Sequence, residues 1–182
     1  MIRLFLRPFY LFKKFINFFL SDEVYAQKMG VKIGKNCVIS TRFWGSEPYL
    51  IEIGDYVRIT SGVRFFTHGG GRVFRKEYPD MDFFGKIKIM NNVYIGNGAY
   101  ILPGVTIEDN VVVGAGSVVT KSVPSGSIIA GNPAKIISSF DDFKTKCLAH
   151  NVGTKSMSPE EKKAYLLSGN ADHFFVKKGY LK

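Results

Sequence analysis

The sequence predicts a mainly β fold in which short parallel strands wind into a β-helix of stacked coils. Two observations predict it: a period of six residues, and the kind of residue found at each place of that period. An α-helix repeats its apolar residues about every 3.6 positions and a simple strand about every two. A period of six therefore indicates one short strand and one corner per repeat, with coils stacked around a continuous core.

The repeat consists of ten six-residue units, called hexads here, that begin with Ile or Val. Four lie at 33–44 and 53–64, and six more run without interruption from Ile89. We expect place one to point inward and the small residue at place five to fill the space beside a corner. Gly and Asn in places two to four supply the positive φ that corners demand, so the Gly-x-Gly of two hexads does not indicate a nucleotide-binding loop. The six consecutive hexads read IMNNVY, IGNGAY, ILPGVT, IEDNVV, VGAGSV and VTKSVP.

The 182-residue chain is basic, with a formal net charge of +10, and its 46% hydrophobic residues exclude wholesale disorder. Residues 1–40 hold seven basic and two acidic side chains, an excess of five. Nucleic-acid recognition motifs are absent from the sequence, and we expect no nucleic-acid partner. Residues 1–20 predict a basic, aromatic-rich helix. This helix either lies on an anionic membrane surface or packs on its own protein or a sister subunit.

Helices are expected at both ends of the chain. Ser21 caps a short helix that closes at Gly30. Ser158, followed by Pro and two Glu, caps a second helix that ends near Ser168. The predicted segments are N-terminal helices (1–30), a β-helix (31–137) and a helical tail that covers the last coil (138–182).

The six-residue period breaks twice, at 45–52 and at an inserted loop of about 65–88 that is rich in aromatic and charged residues. A long irregular segment inside a regular repeat is usually functional or disordered, and this composition favours an ordered loop that touches a substrate or partner. His68 lies at the base of the loop, before three glycines. Neither metal-ligand spacing nor phosphate-loop spacing surrounds it, so we expect no metal. A locally hydrogen-bonded histidine and a catalytic base both remain open.

The hexads, together with AGSVVTK (115–121) and IIAGNPAKII (128–137), resemble the left-handed β-helix acyltransferases. Within that family the chain is most similar to the group that acetylates sugars and surface polysaccharides. The resemblance covers roughly 24–138. It implies a left-handed coil, acetyl-CoA as co-substrate without a metal, and a homotrimer with active sites in the clefts between subunits.

The same resemblance implies the site residues. His68 takes the place of the general base, a role that suits an imidazole because its ordinary pKa is about 6.5. Family members often orient this imidazole with a carboxylate or a backbone carbonyl, and the first break offers Glu47. Glu47 and Trp44 are also candidates for holding the acceptor; a solvated carboxylate and a residue packed on the coil are the structural alternatives. The asparagine that related sugar acetyltransferases carry near Glu47 is absent, which leaves the acceptor sugar open. The expected contacts with CoA are Asn97, Ala115, Thr120, Lys121 and Lys135.

The sequence therefore predicts an acetyl-CoA-dependent O-acetyltransferase. Its acceptor would be a sugar hydroxyl of a surface polysaccharide (capsule, exopolysaccharide or O-antigen) or of its precursor. One alternative is an N-acetyltransferase that acts on a nucleotide-linked amino sugar, and another is a β-helix scaffold without catalysis. The expected location is the cytoplasm, with peripheral binding to the inner face of the membrane as the variant that the N-terminal helix suggests.

Overall fold

The computed structural model describes residues 19–168 and 174–175. The chain forms two compact units that divide between Phe140 and Asp141. The helix expected in residues 1–20 lies almost entirely outside the described residues, so the choice between membrane and protein contact stays a prediction. In the described part of the chain, no helix is long and apolar enough to span a bilayer.

The first unit is built from short strands that form parallel ladders on three faces. The strands are β1 (Lys32–Ile33), β2 (Val38–Ile39), β3 (Ile51–Ile53), β4 (Arg58–Ile59), β5 (Arg64–Phe65), β6 (Ile87–Ile89), β7 (Tyr94–Ile95), β8 (Tyr100–Ile101), β9 (Thr106–Ile107), β10 (Val112–Val113), β11 (Val118–Val119), β12 (Ser127–Ala130) and β13 (Lys135–Ser139).

Each complete coil gives one strand to each face. Face I stacks β1, β3, β6 and β9, face II stacks β2, β4, β7, β10 and β12, and face III stacks β5, β8 and β11. All these pairs are parallel, and only β13 reverses, pairing antiparallel with β12 at the end of face II. The corners are named here after the faces they join, so that III/I is the corner at which one coil passes into the next. This arrangement is the β-helix that the period predicts.

The core lies inside the three faces and follows the hexad. The place-one residues of the consecutive hexads, from Ile89 to Val119, are at most 1% exposed. Place five is small or β-branched and at most 5% exposed, and Ala99 and Ser117 are both at 0%. Burial of one isoleucine contributes about 1.5–3 kcal/mol, and stacking joins these side chains into one continuous cluster. Both expectations for the hexad are confirmed.

One early hexad departs from the prediction. In ISTRFW (39–44) the chain reaches face III one residue early: Phe43 forms a parallel bridge with Arg64 and is half exposed, whereas Trp44 is 3% exposed. Trp44 therefore takes the inward place-one position above Phe65. Thr41 takes the role of place five, and its hydroxyl donates to the carbonyl of Val63 at 2.7 Å. The assignment of a full hexad here was wrong, because this corner is one residue shorter.

The positive φ predicted for Gly and Asn is found at place four of the corners. The glycines at place two, such as Gly96, are not left-handed, so the prediction was wrong for that place; a Cβ at Gly96 would lie 2.6 Å from the backbone N of Ala115 in the next coil.

At corner II/III the place-four residue is glycine in three successive coils, with φ of 67° to 74°. At corner I/II it is Asn in three of the four coils. In the remaining coil, the second along the chain, it is Tyr56, with φ 56°. A left-handed conformation costs a residue with a Cβ about 1–2 kcal/mol, so Tyr56 is the strained exception. The place-four residues of corner I/II are Asn36, Tyr56, Asn92 and Asn110.

Side chains at place three tie the coils together at corner I/II, a feature that the hexad pattern alone did not predict. The backbone N–H of Lys35 donates to Asp55 Oδ1 at 2.7 Å, that of Asp55 to Asn91 Oδ1 at 2.9 Å, and that of Asn91 to Asp109 Oδ1 at 2.7 Å. Each oxygen satisfies one backbone donor of the coil below. The ladder explains why Asn and Asp occupy this place.

The inserted loop begins and ends at corner III/I. Since β5 ends at Phe65 and β6 begins at Ile87, the irregular segment is 66–86, slightly shorter than predicted. An antiparallel bridge between His68 and Phe84 closes its base, and the N–H of Gly85 donates to the carbonyl of Thr67 at 2.8 Å. The loop therefore leaves and rejoins the coil at one point.

The helices follow their sequence signals. Helix α1 (Asp22–Met29) begins after Ser21, whose hydroxyl accepts from the N–H of Val24, and ends at Gly30 with φ 105°. In the second unit, α3 (Pro159–Leu167) begins with the predicted Ser158 capping box and ends at Ser168. Because β13 continues to Ser139, the helical tail starts with α2 (Phe140–Ala149) rather than at 138. The expectation that the tail covers the last coil stays a prediction.

Candidate active site

His68 lies where the second coil opens into the inserted loop. Thr67, just before it, is 0% exposed, so the chain enters the loop from a buried anchor. The imidazole itself is 42% exposed, and its ring meets that of Phe84 edge to face at a centroid distance of 6.0 Å. The local fold thus fixes the backbone of His68 and leaves one side of its ring open.

Glu47 orients the imidazole. Its Oε2 atom lies 2.9 Å from His68 Nδ1, and the hydroxyl of Thr67 donates to the same oxygen at 2.5 Å. The hydrogen bond from Thr67 and then the one from His68 lower the pKa of the Glu47 carboxyl. Because an ionised carboxylate can only accept, Nδ1 carries the proton of this hydrogen bond. The other ring nitrogen, Nε2, has no hydrogen-bond partner among the described residues.

The contact forms because the two breaks in the period fall at the same corner of successive coils. Residues 45–50 pass from the first coil to β3, and 66–86 pass from β5 to β6, both at corner III/I. Gly45, with φ 71°, permits the approach, since a Cβ there would lie 3.1 Å from Phe65 O and from Thr67 Oγ1. Sequence reasoning named Glu47 as a carboxylate that could orient His68 but missed Thr67, for which the sequence carries no signal.

Two cavities flank His68. The coil-side cavity, of about 430 Å³, is bounded by the end of the first coil and by β5. The loop-side cavity, of about 250 Å³, lies between Glu47 and the inserted loop and is lined there by Arg72, Arg75 and Phe84. His68 lines both cavities, so a group bound in either one would lie beside this residue. The coil-side cavity is lined by Arg42, Phe43, Trp44, Gly45, Ser46, Arg64, Phe65, Phe66, Thr67 and His68.

Trp44 is packed into the coil and also contributes to the wall of the coil-side cavity. Its ring stacks on Phe65 at a centroid distance of 4.9 Å and an interplanar angle of 9°. Its Nε1 is buried and has no hydrogen-bond partner among the described residues. This geometry favours packing, the alternative that the sequence left open; a contact of Trp44 with the acceptor stays a prediction.

The residues expected to contact CoA lie on both edges of face III. Asn97 and Ala115 occupy corner II/III on successive coils, where the N–H of Gly116 donates to the carbonyl of Asn97 at 2.8 Å. Thr120 and Lys121 follow β11 at corner III/I, the corner of His68, two coils further on. Two coils correspond to about 10 Å along the axis.

Lys135, the fifth of these residues, opens β13. The loop before it lies against β11, since the N–H of Ala134 donates to the carbonyl of Val118 at 2.9 Å. All five side chains are exposed. The structure thus groups Asn97 with Ala115 and Thr120 with Lys121, and separates the two pairs by the width of face III.

The acidic, histidine and cysteine side chains of the described residues do not converge as metal ligands. Among residues 19–168 and 174–175, no group of three or more His, Cys, Asp or Glu side chains is placed to hold a metal ion. The chemistry that the described site offers is that of an oriented imidazole between two open cavities.

Stacked coils of hexads are the architecture of the hexapeptide-repeat class, and comparison with known proteins places the chain among its acyltransferases. The family described as bacterial transferase hexapeptide (six repeats) matches residues 86–121. The chain is 52% identical to protein CapG of Staphylococcus aureus over 162 residues, which are 87% of this chain and 94% of CapG. It is 38% identical to the galactoside O-acetyltransferase of Escherichia coli (strain K12) over 114 residues, 62% of this chain, and spans 55% of that enzyme's length.

A solved structure of a galactoside acetyltransferase in complex with coenzyme A matches this fold with a TM-score of 0.51 and 30% identity, over 68% of this chain and 72% of that chain. The protein belongs to the hexapeptide-repeat acetyltransferase family, within its sugar O-acetyltransferase group, and is an acyltransferase. The resemblance found in the sequence is confirmed. Since members of this family coil left-handed, membership implies that hand for the three faces.

Proposed function

We propose that the protein transfers an acetyl group from acetyl-CoA to a hydroxyl of a sugar, with His68 as the general base. The observation that supports this most is the hydrogen bond of 2.9 Å between His68 Nδ1 and Glu47 Oε2. A carboxylate bound to one ring nitrogen keeps the proton there and leaves the other nitrogen as a proton acceptor. This is what a weak nucleophile such as a hydroxyl needs.

One base, His68, accounts for every proton transfer in the reaction. The sugar hydroxyl gives its proton to His68 Nε2 while its oxygen bonds to the carbonyl carbon of the thioester. The carbon–sulfur bond then breaks, and the proton passes from Nε2 to the sulfur of the leaving CoA. Glu47 and Thr67 hold the ring in place throughout. A positioned general base of this kind contributes about 10²–10⁴-fold in rate.

Acetyl-CoA would lie along the later coils. Its amide-containing arm fits an edge that offers backbone groups, and Gly98 and Gly116 on that edge have open space where a Cβ would stand. Lys121 and Lys135 are exposed cations suited to its phosphates. In this proposal Asn97 and Ala115 contact the arm, and Thr120 and Lys121 lie on the far side of face III.

The separation of these two groups supports a homotrimer. If corner III/I of one subunit faces corner II/III of the next, both groups line a single cleft. Trimers mixed from His68→Ala and Ala115→Trp subunits test this: some clefts would join two intact edges, and activity would return that neither parent protein shows. Two inactive parents whose mixture stays inactive would argue against a shared cleft.

The acceptor class in this proposal is a surface polysaccharide or its precursor. The named galactoside O-acetyltransferase relative acts on a sugar, and the basic excess in residues 1–40 suits the inner face of a membrane where lipid-linked glycans are assembled. The cytoplasmic location and any contact of residues 1–20 with lipid belong to this proposal.

The test is the release of free thiol from acetyl-CoA in the presence of free, nucleotide-linked and lipid-linked sugars. We expect release with at least one acceptor, and an acetyl product that mild alkali hydrolyses, because an ester is labile and an amide is not. An alkali-stable product on an amino sugar would indicate N-acetylation instead. No release with any acceptor, together with no binding of acetyl-CoA by calorimetry, would indicate a scaffold.

A further inference from the structure

The coil-side cavity has a cationic wall. Among its described lining residues, Arg42, Arg64 and His68 carry or can carry positive charge, and none is acidic. Glu47 lines the loop-side cavity and not this one. The residues that line the coil-side cavity therefore include two guanidinium groups and no carboxylate.

The two arginines of the cavity wall, Arg42 and Arg64, differ in whether a described carboxylate pairs with them. Arg42 donates from Nε to Asp22 Oδ1 at 2.6 Å and from Nη2 to the carbonyl of Leu20 at 2.6 Å. Its guanidinium also lies 5.1 Å from the ring centre of Tyr25. Arg42 thus anchors the segment before α1 to the first coil, and its charge is matched by Asp22.

Arg64 has no such partner. It forms no ion pair with any described residue. Its guanidinium lies 4.6 Å from the ring centre of Phe43 and 5.9 Å from that of Tyr100. Aromatic faces hold a guanidinium by its flat surface and leave the N–H groups at its edge available. Arg64 is therefore held in the wall of the cavity, and no described residue uses its side-chain N–H donors.

We propose that the acceptor is an acidic sugar whose carboxylate binds Arg64 while one of its hydroxyls faces His68. The proposal rests on the proposed function and adds the class of acceptor. A guanidinium and a carboxylate form two parallel hydrogen bonds that a neutral sugar cannot supply. Hydrogen bonds to charged groups of this kind are worth about a tenfold preference or more.

Trp44 provides a direct test of binding, since it is the single tryptophan of the chain and lines this cavity. Its fluorescence would be titrated with methyl galacturonide against methyl galactoside, and with methyl glucuronide against methyl glucoside. We expect the acid to bind about tenfold more tightly than its neutral counterpart in at least one pair, with the preference falling as salt is raised.

Two variants locate the effect. Arg64→Gln should abolish the preference for the acid and leave the affinity for the neutral glycoside unchanged. Arg58→Gln is the matched control, because Arg58 is the outward residue of β4 on face II, one hexad earlier, and is exposed. It removes the same charge and should keep the preference.

Three results would overturn the proposal: no quenching by any of the four glycosides, equal affinity within both pairs, or an Arg64→Gln protein that still prefers the acid. A CoA phosphate is the other anion that could lie against Arg64. In that case Arg64→Gln would raise KM for acetyl-CoA and leave the sugar preference unchanged, which also overturns the proposal.

The binding titration needs no acetyl transfer, which separates this proposal from the one on which it rests. If the protein prefers uronides in an Arg64-dependent manner but releases no CoA, the anion site stands and the proposed acetyl transfer is wrong. If the protein acetylates neutral sugars alone, the acetyl transfer stands and the anion site is wrong.

Discussion

The regular coils and corner III/I of the first two coils follow different rules. In residues 87–123 each place of the hexad has one structural role that repeats from coil to coil. Places one and five fill the core, and place four turns the corner. At corner III/I the hexad is interrupted twice, at 45–50 and at 66–86. The segments there are rich in aromatic, charged and glycine residues and differ from one coil to the next.

This difference shows how a repetitive fold acquires a site. The coils hold two interruptions one above the other, so Glu47 and His68 meet although 21 positions separate them. The regular part supplies rigidity and the irregular part supplies chemistry. Variants in the two regions should therefore separate stability from activity.

The largest expected effect is on activity and comes from the corner. His68→Ala should lower kcat by about 10²–10⁴-fold, and its unfolding midpoint should stay close to that of the wild type because the side chain lies outside the core and the only hydrogen bond lost is the one to Glu47. Thiol release and urea unfolding, measured on the same preparation, check both parts. His150→Ala, in the second unit, is the control and should retain the wild-type rate.

The next effect is on stability and comes from the coils. Ile89→Ala removes a side chain that is 1% exposed and should cost about 2–5 kcal/mol of unfolding free energy. Lys88→Ala, the outward neighbour in the same strand, should change it by less than about 0.5 kcal/mol. Equal losses in the two variants, measured by urea unfolding, would mean that the hexad does not define the core.

Glu47→Gln should weaken catalysis less than the loss of His68. We expect kcat to fall roughly tenfold or more because the imidazole loses its charged anchor, while KM for acetyl-CoA stays constant. Glu47 is a positioning residue in this account, so Glu47→Asp should recover part of kcat. A variant with raised KM and unchanged kcat would place Glu47 in substrate binding instead.

The same carboxylate gives a pH dependence of stability. Its pKa is lowered from 4.5 in the folded protein. The stabilisation is therefore fully present above that ordinary value and is lost as the pH falls through the lowered one. The wild type should unfold at higher urea than Glu47→Gln near neutral pH, and the difference should vanish in strong acid. A difference that is independent of pH would contradict an ionised Glu47.

The smallest effect concerns Tyr56, the one residue other than Asn at place four of corner I/II. Tyr56→Asn should raise the unfolding free energy by about 0.5–1 kcal/mol, since Asn tolerates the left-handed region better. The reverse change, Asn36→Tyr at the same corner one coil earlier, should lower it by a similar amount. A shift of the same sign in both variants would show that strain at place four is not the cause.

The coil could be predicted from the sequence because each hexad repeats the same local requirements. The same regularity gives a wrong prediction at 39–44, where Trp44 rather than the next residue turns inward. The resemblance offered Glu47 as a carboxylate that could orient His68, but the geometry of the contact was not predictable, since it depends on two irregular segments whose backbone no period sets. Thr67 was missed for the same reason: one buried hydroxyl that bonds to Glu47 leaves no pattern in the sequence.

The central claim is that His68 removes a proton from the acceptor hydroxyl. The most direct measurement is acetyl transfer by the His68→Ala protein as a function of added imidazole. We predict that imidazole restores part of the lost rate, in proportion to its neutral form and saturably, while Glu47 and Thr67 remain in place. A His68→Ala protein with the wild-type rate, or one whose rate does not depend on imidazole, would contradict the claim.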